Sequence, residues 1–147
     1  MSVSDIVTVR VGGHLCGFDA QSVQDVFHPR GLTPVPCSGA DIVGLLNLRG
    51  RIVTAVCMRL RLGLPPRPDD APEPKAVGVE LGGDNYGLVV DGVESVITVD
   101  SDDVIAPPGD LPPRWAELIQ GVVRLEGELL VLLNVERLFQ AQARTAA

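Results

Sequence analysis

The chain has 147 residues, 46% of them hydrophobic and only 3% aromatic, with a formal net charge of -7. A chain of this size buries a sizeable core as one domain or two intimate subdomains, its apolar content excludes disorder, and its acidity argues against nucleic acid, whose phosphates demand a basic face. The longest apolar runs, such as Leu129 to Leu133, fall far short of the ~20 residues of a membrane helix, and Met1 to Asp5 lacks the basic start of a signal peptide. A cytoplasmic protein with no direct membrane insertion is therefore expected.

In chain order, Ile6 to Val11 alternates as a strand, Gly12-Gly13 turns it, and Leu15 to Phe18 returns. Asp19 is placed to cap a helical turn through Ser22, after which Val23-Gln24-Asp25-Val26 is extended. Pro29, Gly31, Pro34 and Pro36 break regular structure, and Ala40 to Leu46 predicts a turn of helix. Asn47-Leu48-Arg49-Gly50 then makes a tight turn into Arg51 to Met58, an almost uncharged run rich in branched residues that reads as a buried strand. Arg59 to Leu62 predicts a short helix ended by Gly63. Pro65 to Pro74, with five prolines and two aspartates, is a stiff connector and not a polyproline ligand.

The second part opens with Ala76 to Leu81, turns at Gly82-Gly83-Asp84-Asn85, returns through Tyr86 to Val90 and bends at Asp91-Gly92 into Val93 to Val99. Asp102 and Asp103 are placed to cap a turn, Pro107-Pro108 and Pro112-Pro113 bracket a loop, and a helix from Pro113 to Ile119 carries Trp115 inward. Arg124 to Gly127 joins two strands. Glu136 to Ala143 predicts a terminal helix with Leu138 and Ala141 facing the body.

The chain repeats itself. Val77 to Val96 aligns without a gap on Val7 to Val26 at a shift of 70, and Ile119 to Val131 aligns on Ile42 to Thr54 at a shift of 77. The expectation is one domain built of two β units, about 7–64 and 77–139, joined by the connector 65–74. Two long repeats suggest paired small barrels or sandwiches and not a solenoid. Framework residues should survive in both copies, so differences mark contact surfaces. Asn47 and Arg49 become Arg124 and Glu126, and Asp25 becomes Ser95. Val23 and Val26, which recur as Val93 and Val96, read equally as core.

The sequence offers little catalytic chemistry. His14 and Cys16 share a face if their stretch is a strand, yet no orienting acid or oxyanion motif accompanies them, so a turn histidine and a core thiol are expected. Cys16, Cys37 and Cys57 are odd in number with no C-x-x-C spacing, which indicates neither a disulfide framework nor zinc. Asp100, Asp102 and Asp103 lack the glycine and distal glutamate of a calcium loop, and the glycine pairs precede no Gly-Lys-Ser/Thr. No catalytic residue, metal or cofactor is expected. A binding role fits better: an arginine fork beside leucines suits a partner helix.

Three stretches carry a family resemblance: Gly44-Leu45-Leu46-Asn47-Leu48-Arg49-Gly50 before an apolar strand, Gly87-Leu88-Val89-Val90-Asp91-Gly92-Val93, and Leu130-Val131-Leu132-Leu133-Asn134-Val135. Through them the chain resembles the CheW-like coupling proteins of bacterial chemosensory arrays, from Val7 to Phe139. The resemblance implies an all-β fold of two intertwined five-stranded SH3-like barrels with a few short helices. It also implies a non-enzymatic adaptor between methyl-accepting chemoreceptor tips and the regulatory domain of a CheA-type histidine kinase, recruited to membrane receptor arrays. By motif position, Gly44, Asn47, Leu48 and Arg49 would be receptor-facing, and Val23, Asp25 and Val26 kinase-facing. Asp25 stands where the family usually has glutamate, Thr54 where it has proline and Cys57 where it has aspartate, departures that bear on the kinase partner more than on the fold. The alternatives are a homologous scaffold for pili, gliding or gene expression and a divergent cysteine hydrolase.

Overall fold

The computed structural model describes residues 3–29, 42–65, 68, 70, 73–106, 115 and 118–137. These residues form strands β1 (Val3–Val11), β2 (His14–Asp19), β3 (Val23–Phe27), β4 (Ile42–Leu48), β5 (Arg51–Cys57), β6 (Lys75–Leu81), β7 (Asp84–Val90), β8 (Gly92–Asp100), β9 (Val104–Ile105), β10 (Ile119–Leu125) and β11 (Glu128–Leu133). A short helix α1 (Met58–Arg61) follows β5. The strands make a six-stranded sheet, β8-β1-β2-β11-β10-β9, and a five-stranded sheet, β3-β6-β7-β5-β4.

Hairpins are the local units of this arrangement. Gly12 and Gly13 hold φ of +56° and +86°, and Gly82 and Gly83 hold +61° and +87°. Positive φ at both central residues matches the twist of the flanking strands, and glycine adopts it without steric cost. Each hairpin then takes its neighbours from the other half of the chain. β3 pairs with β6 and β8 with β1, both antiparallel, while β5 runs parallel to β7 and β11 parallel to β2. Val7 faces Val96 as Val77 faces Val26, so the two exchanges share one register.

Three apolar clusters result. The central one joins the sheets, with Val9, Val11 and Phe18 from one packed against Val56, Val77 and Leu88 from the other. Each sheet also curls around a smaller interior of its own. Ile6, Leu15, Leu130 and Leu132 fill the six-stranded one; Leu46, Val53 and Ala55, with Phe27 and Leu48, fill the five-stranded one. Strands buried on both faces read as continuous apolar runs, which is why Leu130 and Leu132 face a sheet interior while Val131 and Leu133 face the central core. Gly17 sits where a curled interior leaves no room: a Cβ there would lie 2.5 Å from Ile6 Cγ2.

Several expectations need correction. Ile42 to Leu46, expected within a helical turn, belongs to strand β4. A short apolar run does not distinguish helix from strand, and here pairing with β5 decides, with a bulge between Ile42 and Gly44. The turn after β8 is capped by Asp100, whose Oδ1 accepts the Asp102 N–H at 3.0 Å, and not by Asp102 or Asp103. The expected pair of small β units is present, one with five strands and the other with the two-residue β9 as a sixth. Asp19 does cap the turn Ala20–Ser22, through Gln21 N–H. Trp115 is buried, its Nε1–H donating to the Leu62 carbonyl at 2.8 Å. The proline-bracketed segments around 30–41 and 107–114, most of the connector, Cys37, and the Leu138 and Ala141 positions of the expected terminal helix lie outside the described residues.

Candidate functional site

The β4–β5 hairpin turns through Arg49 and Gly50, at φ of 54° and 84°. Among the described residues Arg49 alone holds left-handed backbone without being glycine. That conformation brings Cβ close to the following carbonyl oxygen and costs an L residue roughly 1–2 kcal/mol. Asn47 Oδ1 accepts the Gly50 N–H at 3.0 Å and closes the turn locally. The Arg49 side chain itself is 82% exposed, with the Asp25 carboxylate 3.8 Å from Nη1. Contacts this exposed are worth about 0–1 kcal/mol, so they do not account for the strained arginine. In the equivalent β10–β11 turn Glu126 replaces Arg49, and positive φ is confined to Gly127.

Asp25 reaches Arg49 because β3 and β4 are the two edges of a sheet that curls until they approach. Asp25 lies opposite Gly78 of β6, where a Cβ would collide with Asp25 Oδ1. The missing side chain lets the carboxylate lean into the mouth of the five-stranded sheet. There a cavity of about 330 Å³ is lined by Asp25, Phe27, Leu48, Arg49, Arg51 and Val53, among others.

The six-stranded sheet supplies an internal comparison. Thr8 stands for Gly78 and Ser95 for Asp25: Thr8 Oγ1 donates to the Ser95 carbonyl at 2.8 Å and accepts the Ser95 N–H at 3.0 Å. Beside them Arg10 bridges Glu94 and Glu128, each at 2.9 Å. The bonds to Arg10 hold the Glu128 carboxyl below its ordinary range, and those to Glu128 and Glu94 raise the Arg10 guanidinium. The five-stranded sheet has Glu80, Gln24 and Arg51 at those places, and there Gln24 Nε2–H donates to Glu80 Oε2 at 3.3 Å. One mouth is spanned by the 2.9 Å pairs of Arg10, and the other holds the cavity with the looser 3.8 Å Asp25–Arg49 contact at its lip.

The structure therefore brings Asp25, Leu48 and Arg49 together around one cavity. Asn47 is exposed and closes the turn, while Gly44 is buried at the bulge opposite Ala55. Val23 packs against the central core, and Val26 is exposed on the edge strand. Sequence reasoning missed Phe27, Gly78 and Arg51 of the cavity, and Ile52, which is 61% exposed and pairs with Asn47. Gly78 could have been found, because the aligned copy has Thr8. Hydrolytic chemistry gains nothing: Cys16 is fully buried in the central core, where burial pushes its thiol up to about 12. His14 packs edge-on against Trp115, ring centroids 4.9 Å apart. Among the described residues no group of three or more His, Cys, Asp or Glu is placed to hold a metal ion.

The family model of the CheW-like domain matches residues 5–143. The chain belongs to the CheW-like family. It is 28% identical to the chemotaxis protein CheW of Treponema pallidum, over 97% of this chain and 88% of that one. It is 26% identical to CheW of Rhizobium meliloti, over 97% and 92%. Among solved structures, the scaffolding protein TtCheW of Thermoanaerobacter tengcongensis superimposes with a TM-score of 0.82 at 25% identity, covering 95% of this chain and 94% of that one. This CheW-like chain thus has the expected mostly β architecture of two SH3-like units, and its family supports a role as a chemotaxis adaptor. Among the described residues no helix is long and apolar enough to cross a membrane.

Proposed function

We propose that this chain is a non-enzymatic, cytoplasmic adaptor that places chemoreceptor tips beside the regulatory domain of a CheA-type histidine kinase. The observation that carries this reading is the exposed Arg49, held in left-handed backbone at the lip of the cavity. Strain that the surrounding contacts do not account for is a mark of function. Arg49 and Arg51 make a positive lip on a chain of net charge -7, a local attraction for carboxylates or helix-end carbonyls of a receptor tip. Asn47 sets the turn, Leu48 offers apolar contact, and Gly44 shapes the bulge beneath them. On the kinase-facing edge Val26 is the exposed apolar contact, Val23 supports the strand from the core, and Asp25 sits between the two surfaces.

Capture of kinases and receptors from the source cell by the purified chain tests this. Recovery of a CheA-type kinase together with chemoreceptors is expected. Recovery of a kinase serving pili, gliding or gene expression would assign the scaffold to that pathway, and recovery of neither would refute the adaptor reading.

A further inference from the structure

Strand β5 carries the Arg49 turn at its start and α1 at its end, and at that far end the two sheets are tied by one carboxylate. Arg59 of α1 donates through Nε to Asp91 Oδ1 at 2.9 Å and through Nη2 to Oδ2 at 2.7 Å. Both side chains are largely buried, 18% and 19% exposed. Asp91 Oδ2 also accepts the Gly12 N–H at 2.7 Å, and the Asp91 N–H donates to the Arg10 carbonyl at 2.9 Å. Asp91 is the residue at which the chain leaves β7 of one sheet for β8 of the other. Gly12 is the turn of the β1–β2 hairpin in the six-stranded sheet, and Arg59 follows directly from the five-stranded one. Gly12 cannot be replaced cheaply, since its φ is +56° and a Cβ would lie 2.8 Å from Leu64 Cδ1.

The repeat again gives the comparison. The other crossover, from β2 to β3, has Gln21 in the place of Asp91, Gly82 in that of Gly12 and Glu136 in that of Arg59. That set contains no cation, so those three residues cannot form a guanidinium–carboxylate fork. Around the clamp the sheets meet through valines, leucines and other apolar side chains. Apolar burial is non-directional and resists separation more than rotation. Bidentate arginine–carboxylate contacts are directional, and a partly buried one holds geometry as well as energy.

We propose that Arg59, Asp91 and the Gly12 amide form a clamp that fixes the angle between the two sheets, with Arg59 and Asp91 as positioning residues. The clamp sets how the Arg49 lip, at the other end of β5, is presented relative to the six-stranded sheet. It does not rest on the identity of any partner.

The test is a distance between the sheets in the full chain. Spin labels are placed at Ile52→Cys and Val96→Cys, both 61% exposed and on different sheets. Cys37 and Cys57 are replaced by serine, and Cys16 stays because its buried thiol does not label. The parent gives one narrow distance distribution. Asp91→Asn, which keeps an acceptor for Gly12 but loses the charged fork, and Arg59→Gln each broaden it about twofold or shift its mean, as expected of a released hinge between rigid bodies. Arg59→Lys, which keeps the charge without the fork, gives an intermediate width and supplies the reading should either other variant fail to fold. Parent-like distributions in the folded variants, with only a lower melting temperature, would overturn the proposal and leave a local stabilising contact. The distances are read without partners, so failure here leaves the adaptor reading standing, and failure to capture a kinase leaves the clamp standing.

Discussion

Replacing Arg49 by glycine separates its contact role from any structural one. In the folded state glycine relieves the left-handed strain at φ 54°, worth roughly 1–2 kcal/mol. Against this stand the extra backbone freedom of glycine in the unfolded chain, about 0.5–1 kcal/mol, and the loss of the exposed 3.8 Å contact with Asp25, about 0–1 kcal/mol. These contributions nearly cancel, so Arg49→Gly should leave stability within about 1 kcal/mol of the parent, a melting shift of about 2–4 °C at most. Urea and thermal unfolding measure this directly. Receptor-tip affinity, by contrast, should fall by about 1–3 kcal/mol, the range for losing a charged hydrogen bond at an interface. A loss of stability above about 2 kcal/mol would refute the reasoning, because the guanidinium would then hold the hairpin together.

The same structure makes further predictions. Leu132→Asp buries a carboxylate among the apolar Ile6, Leu15 and Leu130 and should abolish cooperative unfolding; a soluble variant with the parent melting curve would contradict the β11 assignment. Gly78→Thr should destabilise by about 1–3 kcal/mol through collision with Asp25, and adding Asp25→Ser should restore stability by installing the Thr8–Ser95 pair, as denaturation of the two variants would show. The carboxyl of Glu128 is held below its ordinary value near 4.5 by Arg10. That contact stabilises fully above the unfolded value and is lost as pH falls through the lower folded one, so Glu128→Gln should flatten the acid side of the stability–pH curve.

The hairpins were legible because left-handed turns need glycine, and Gly12-Gly13 and Gly82-Gly83 announce them locally. The exchange of strands between halves was legible only through the family resemblance and not from the residues themselves. Nothing in Val23 to Phe27 says that it pairs with β6 and not with its own hairpin, and only burial of the whole apolar set decides it. Strand β4 is not legible as a strand, because Ile42 to Leu46 is too short for periodicity to separate strand from helix. The repeat did mark Asp25 and Arg49 as the residues that differ between copies, and they meet at one lip. Their meeting depends on Gly78, a distant residue whose contribution is an absent side chain. Recurrence left Val26 open between core and contact surface; it is exposed, as is its counterpart Val96, since pseudo-symmetry preserves edge positions as faithfully as buried ones.

The claim that a single strained turn in one half of a duplicated β scaffold grips a receptor is tested most directly by calorimetry. The purified chain is titrated with an isolated chemoreceptor tip and, separately, with a CheA-type regulatory domain, beside Arg49→Glu. The prediction is that the parent binds both and the variant keeps its fold and its kinase affinity while losing the receptor tip. Equal receptor-tip affinity in parent and variant would contradict it.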